Sequence, residues 1–151
     1  RLQRNRSLAK VEAALQAAKT INARHVTLHA GHYGEMGRGQ AANEQVASVF
    51  KGIVQRVHDI WNDDEDIYPV FPWLKEGTPS KIGVETSGRQ ELWGSLEEVL
   101  EVVNHVEGTI PVINLAHVHA RGHGRLRTSE DYGELFDQVR ETIGTKEFYC
   151  Q

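Results

Sequence analysis

Three short runs constrain this chain more than any other feature. Val26 to Ala30, Lys81 to Thr86 and Pro111 to Ala116 are apolar enough to be covered on both faces, and long segments with helical periodicity separate them. Strands of that kind fit a parallel sheet flanked by helices, whereas a sheet with one face in water would show a regular exposed polar face.

The helical segments repeat apolar residues at three- and four-residue intervals. Ser7 is placed to cap a first helix that runs to about Ala23 through Leu8, Val11, Leu15, Ala18 and Ile21. A second is expected from Gln40 to Trp61 on Val46, Val49, Phe50, Ile53, Val57 and Ile60. Ser95 with Glu98 forms a capping box for a third, which carries Leu96, Val99, Leu100, Val103 and Val106. Thr128 and Asp131 open a fourth, which continues through Leu135, Phe136, Val139 and Ile143 and stops at Gly144. Strands are expected at His25 to Ala30, Lys81 to Thr86, Pro111 to Ala116 and Glu147 to Cys150. From Asn62 to Ser80, four acidic residues at Asp63 to Asp66 and the prolines Pro69, Pro72 and Pro79 predict a long inserted loop.

The sum is an αβ unit repeated four times over residues 1–151, one partial domain. A doubly wound open sheet would announce itself by a G-x-G-x-x-G turn, and none of the strand-to-helix loops has one. A (β/α)₈ barrel needs about 250 residues, so 151 residues supply about half. The expected fold is therefore α/β, a parallel barrel of TIM type with about half of the barrel in this chain. Arg1 just ahead of a helix start, and Gln151 inside a strand pattern, carry the expectation that both ends fall within a larger domain. Such a piece would leave two sheet edges and an apolar inner face uncovered. It is expected to self-associate or to need the remainder of its chain.

Composition narrows the function classes. With 39% hydrophobic and 25% charged residues the chain is globular rather than disordered. No run of about 18 apolar residues offers a membrane span, and no leader is evident, so a cytoplasmic location is expected. The single cysteine, Cys150, lies in an apolar run and reads as a buried strand thiol in a reducing compartment. The net charge of −4 means that any nucleic-acid contact must come from a local basic patch.

Strand parity supplies the candidate site. Val26, Leu28 and Ala30 share one face and Thr27 and His29 the other; Ile82 and Val84 oppose Gly83 and Glu85; Ile113 and Leu115 oppose Val112, Asn114 and Ala116. The less apolar face thus ends in His29, Glu85 or Asn114 on three successive strands, at the C-terminal ends where barrel enzymes keep their active sites. His117 extends the set. Imidazole with carboxylate is ligand chemistry for zinc or manganese. His25, His58 and His105 lack this placement. From His117 to Arg127 the chain carries Arg121, Arg125 and Arg127 with Gly122 and Gly124 and no acidic residue, a pattern suited to phosphate contact.

Three blocks at these strand ends, residues 27–34 (TLHAGHYG), 82–88 (IGVETSG) and 112–121 (VINLAHVHAR), resemble in order three blocks of the endonuclease IV family of apurinic/apyrimidinic endonucleases, with an archaeal-type His-Ala-Arg ending. The similarity covers nearly the whole chain apart from the 62–80 loop. The resemblance implies a barrel of the xylose-isomerase-like superfamily that uses a trinuclear zinc centre to cleave DNA on the 5′ side of an abasic site. It places His29 on a first metal, Glu85 between first and second as the central catalytic carboxylate, Asn114 at the second and His117 on the third. It leaves Tyr33, His119 and Arg121 as substrate contacts. Asn114 stands where the family has an aspartate, and the family's remaining ligands would lie outside residues 1–151. Two other readings stay open: a sugar isomerase or epimerase of the same superfamily, with similar ligands around a small polyol, and a catalytically inactive fragment.

Overall fold

A computed structural model describes residues 2–63, 77–144 and 146–151, with side chains from residue 6 onward. Helix α1 (Leu2–Thr20) leads into strand β1 (His25–Leu28), and a single 3₁₀ turn (Gly34–Met36) precedes helix α2 (Gln40–Asn62). Strand β2 (Lys81–Glu85), helix α3 (Leu96–His105) and strand β3 (Thr109–Ile113) follow. Helix α4 (Leu115–Arg121), helix α5 (Ser129–Ile143) and strand β4 (Tyr149–Cys150) complete the described elements. The expected loop over 62–80 lies, for residues 64–76, outside the described residues; Asn62 ends α2, and residues 77–80 carry no regular structure.

The four strands form one parallel sheet in chain order, β1-β2-β3-β4. Helices pack on the face that carries Ile82, Val84 and Ile113. Leu15 and Ala18 of α1, Phe50, Ile53 and Val57 of α2, and Val99 and Val103 of α3 close over Ile82 and Val84. Leu135, Val139 and Ile143 of α5 close with Leu96 and Leu100 over Ile113. The expected capping box of Ser95 and Glu98 starts α3, and Thr128 and Asp131, expected to open a helix, form a second capping box at the start of α5. Each satisfies N–H groups that the first helical turn leaves without partners.

Helix α1 departs from expectation at both ends. It begins at Leu2, so Ser7 lies inside the helix rather than at its cap. It stops at Thr20 because Asn22 takes a left-handed conformation, φ 52°. The Asn22 N–H then bonds the Lys19 carbonyl at 3.0 Å and the Ala23 N–H bonds the Ala18 carbonyl at 2.8 Å, the paired bonds of a Schellman ending. Ile21 is left exposed past that ending and Leu8 is half-exposed on the helix.

The sheet is strongly curved. In a flat sheet β1 and β4 would stand about 14 Å apart, three strand spacings. Here the rings of His25 on β1 and Tyr149 on β4 meet with centroids 4.2 Å apart. At the same end Glu147 accepts hydrogen bonds from Tyr149 at 2.8 Å and Lys81 at 3.0 Å, which hold its carboxyl below the usual range. One layer up, Thr27, Gly83 and Val112 fill the concave side. A Cβ on Gly83 would sit 2.8 Å from Val112 Cγ2 and 3.1 Å from Thr27 Oγ1, so only glycine lets the flanking side chains close over β2.

That curvature corrects one expectation: Gly83, Ile110 and Val112 on the inner face are buried, not an open apolar surface. The large exposed apolar residues among those described include Leu8, Met36 and Val49, which border a cleft of about 1000 Å³ between α1, α2 and the segment after β1. Cys150 is a second correction. It is exposed, because among the described strands β4 stands at the edge and pairs with β3 alone, although enough protein surrounds its sulfur for desolvation to raise the thiol above its ordinary range. Among the described residues no helix is long and apolar enough to cross a membrane.

Candidate metal centre

Register builds the site. Thr27 pairs with Gly83 across β1 and β2, and Glu85 pairs with Val112 across β2 and β3, so His29, Glu85 and Asn114 leave neighbouring strands on the same side. The third strand is shorter than expected. β3 ends at Ile113, and Asn114 accepts the His117 N–H on its side chain, which turns the chain at once into α4. Leu115 and Ala116 therefore belong to a helix, and the stretch expected as a loop from His117 to Arg127 is helical through Arg121. Asparagine before Leu115 and Val118, three residues apart, was the available signal for this helix.

The cap brings His117 over the strand ends. One ligand-type atom from each of His29, Glu85 and His117 lies within 4.8 Å of the other two. The Nε2 of His29 is 3.2 Å from Glu85 Oε2, and the two imidazole centroids are 5.6 Å apart. His117 Nδ1 is 2.7 Å from the Thr86 carbonyl. A carbonyl only accepts, so Nδ1 is the donor in this contact. The same Nδ1 is 3.7 Å from Glu85 Oε1, so Thr86 holds the ring by the nitrogen that faces the carboxylate. Glu85 is buried while His29 is exposed, which opens the cluster to solvent on the β1 side. Two imidazole nitrogens and one carboxylate suit a zinc-type ion, and bonds of about 2.0–2.2 Å would draw such a set together by side-chain rotation.

Asn114 stands inside this cluster with both ends of its amide hydrogen-bonded. Its Nδ2 donates to Glu85 Oε1 at 3.2 Å, its Oδ1 is occupied by the His117 N–H at 3.2 Å, and its backbone N–H donates to Thr86 Oγ1 at 3.0 Å.

Tyr33 and Arg121 do not reach the cluster as free contacts. Arg121, one helical turn past His117, has a side chain only 10% exposed. Its guanidinium donates to the carbonyls of Ser87 and Leu92, at 3.2 and 2.9 Å, and to Tyr33 Oη at 2.7 Å. Tyr33 in turn donates to Glu98, which lies 3.6 Å from Arg121 and also accepts the Ser95 N–H at 2.8 Å. The expected phosphate-binding arginine is thus a largely buried clamp that ties α4 to the β1–α2 and β2–α3 segments, because the β2–α3 loop leaves inward carbonyls that a planar five-donor group satisfies. Burial, then the hydrogen bond to Glu98, raises the Tyr33 phenol above its ordinary value. His119 is exposed, with Nδ1 3.0 Å from the Leu126 carbonyl, and Arg125 and Arg127 are exposed beyond it.

Sequence reasoning missed Thr86 and the second role of Glu98. Glu98 was legible as a capping-box residue; its hold on Tyr33 and Arg121 spans 65 and 23 positions and has no local signature. Comparison with protein-family models, with curated proteins and with solved structures gave no match for this chain.

Proposed function

We propose that this chain is part of a metal-dependent phosphodiesterase of the endonuclease IV type, acting on DNA at abasic sites, and that its curved sheet is an arc of a (β/α) barrel. The observation that carries the reading is the convergence of His29, Glu85 and His117 at the C-terminal ends of consecutive parallel strands. Inward side chains that meet across a curved parallel sheet are what barrel closure requires. A bound zinc or manganese ion would supply Lewis-acid stabilisation of the phosphodiester and a nucleophile near neutral pH. His29, Glu85 and His117 would hold it. Thr86 fixes the His117 ring, and the Tyr33–Arg121–Glu98 clamp fixes the loops around it. His119, Arg125 and Arg127 line the exposed segment from which an anionic backbone would be contacted.

One observation favours the sugar isomerase reading instead: Arg121, the arginine nearest the cluster in sequence, is committed to internal carbonyls. A duplex oligonucleotide with one abasic analogue separates the two. With zinc or manganese the whole protein that carries this arc should cut on the 5′ side of the lesion, leave an intact duplex alone and stop after chelation. Zinc bound stoichiometrically with no incision would overturn the endonuclease reading, and metal-dependent aldose–ketose interconversion would establish the alternative.

A further inference from the structure

We infer that Asn114 is a positioning residue that sets this site to hold one divalent cation rather than a cluster, an inference that rests on the metal-binding reading above. Its basis is the double commitment of one amide. Oδ1 accepts the backbone N–H of His117, and Nδ2 donates to the carboxylate of Glu85. A backbone N–H can only donate and an ionised carboxylate can only accept, so the amide has one orientation. Turned over, it would face donor with donor and oxygen with oxygen.

Two consequences follow for the ligands. Glu85 is buried, and Asn114 holds its Oε1, which leaves Oε2 beside His29 Nε2 at 3.2 Å. His117 is held at its backbone by the Asn114 side chain and at its ring by the Thr86 carbonyl, while Thr86 Oγ1 accepts the Asn114 N–H. One neutral side chain therefore sets the spacing of two ligands from two elements. The other consequence is charge. Two neutral imidazoles and one carboxylate bring a single negative charge, which one divalent cation already exceeds. A second cation would add two positive charges to a partly buried site with no further anion from this strand end. Aspartate at position 114 would keep the helix cap, remove the donor to Glu85 and add that anion. The side chain at 114 thus decides both the precision of the site and the number of ions.

Zinc is titrated calorimetrically into metal-free chain, and metal content after desalting is read by mass spectrometry, for the wild type, Asn114→Ser and Asn114→Asp. Both substitutions keep an oxygen that can cap α4, and thermal unfolding checks that the fold is retained. The wild type should bind one ion per chain. Asn114→Ser should still bind one, about 10–100-fold more weakly, the usual cost of losing a hydrogen-bond partner of a ligand. Asn114→Asp should bind more than one. Two or more ions per wild-type chain, or the same affinity and stoichiometry in all three proteins, would overturn the inference and leave the metal-binding reading standing. A wild-type chain that binds no zinc would overturn that reading itself.

Discussion

The carbonyl of Thr86 and the Nδ1 of His117 lie 2.7 Å apart, which makes Nδ1 the donor of an imidazole that shares a cluster with His29 and Glu85. Zinc binding should therefore depend on His29 and His117 and not on His119, whose Nδ1 is engaged with the Leu126 carbonyl at the far side of α4. His29→Ala and His117→Ala should each weaken zinc binding by more than the roughly 10–100-fold that loss of an outer hydrogen-bond partner costs. His119→Ala should leave it unchanged. Competition with a chromophoric chelator gives the three affinities, and wild-type affinity in His29→Ala would remove that residue from the ligand set.

Gly83 is held to glycine by its neighbours rather than by its backbone. A methyl group there would press on Val112 Cγ2 at 2.8 Å and Thr27 Cα at 3.3 Å. Gly83→Ala should cost about 1–3 kcal/mol by overpacking. Val112→Ala in the same chain should recover part of that loss, as contacting residues couple. Urea unfolding of the two single variants and the double variant measures the coupling; additive losses would show that the clash is relieved elsewhere.

Removing Arg121 would leave several inward carbonyls without donors and Glu98 without its nearest cation. Arg121→Ala should destabilise the chain by about 3–5 kcal/mol, the range for a buried pair that loses one partner. Arg121→Lys should recover little, because an ammonium is a point charge and the carbonyls are spread over a planar fork. Denaturant unfolding decides, and a loss below about 1 kcal/mol for Arg121→Ala would mean that the clamp is an exposed pair in solution.

The raised phenol of Tyr33 gives a pH dependence of known sign. Burial and the hydrogen bond to Glu98 favour the protonated phenol in the folded state above its ordinary value of 10.0. Its stabilising contribution is therefore complete below pH 10.0 and is lost as pH rises through the higher folded value. Tyr33→Phe should flatten the alkaline limb of the stability profile. Thermal unfolding midpoints across that range give the comparison, and identical slopes in the two proteins would contradict it.

Much of the fold was legible in the sequence because its signals are local. The capping box at Ser95 and the helix start at Thr128 lie where expected, since a cap involves residues three apart. α2 follows its apolar stripe to within a residue at its end. Parity within each strand put His29, Glu85 and Asn114 on one face, and parallel register kept them there. The helix over 115–121 was missed because a seven-residue helix with one buried position has almost no periodicity to read.

What the sequence determined by itself was the alternation of elements, the parallel sheet and the residue types gathered at its strand ends. Tertiary structure alone decided how those residues are used. Whether Arg121 meets solvent or the carbonyls of Ser87, Arg89 and Leu92, whether Asn114 offers an oxygen or a proton to Glu85, and whether the inner face stands open or closes on Gly83 each depend on contacts between distant segments. Such contacts follow from the curvature of the sheet and the direction in which α4 leaves it. A side chain's identity fixes its donors and acceptors, but only packing fixes their partners.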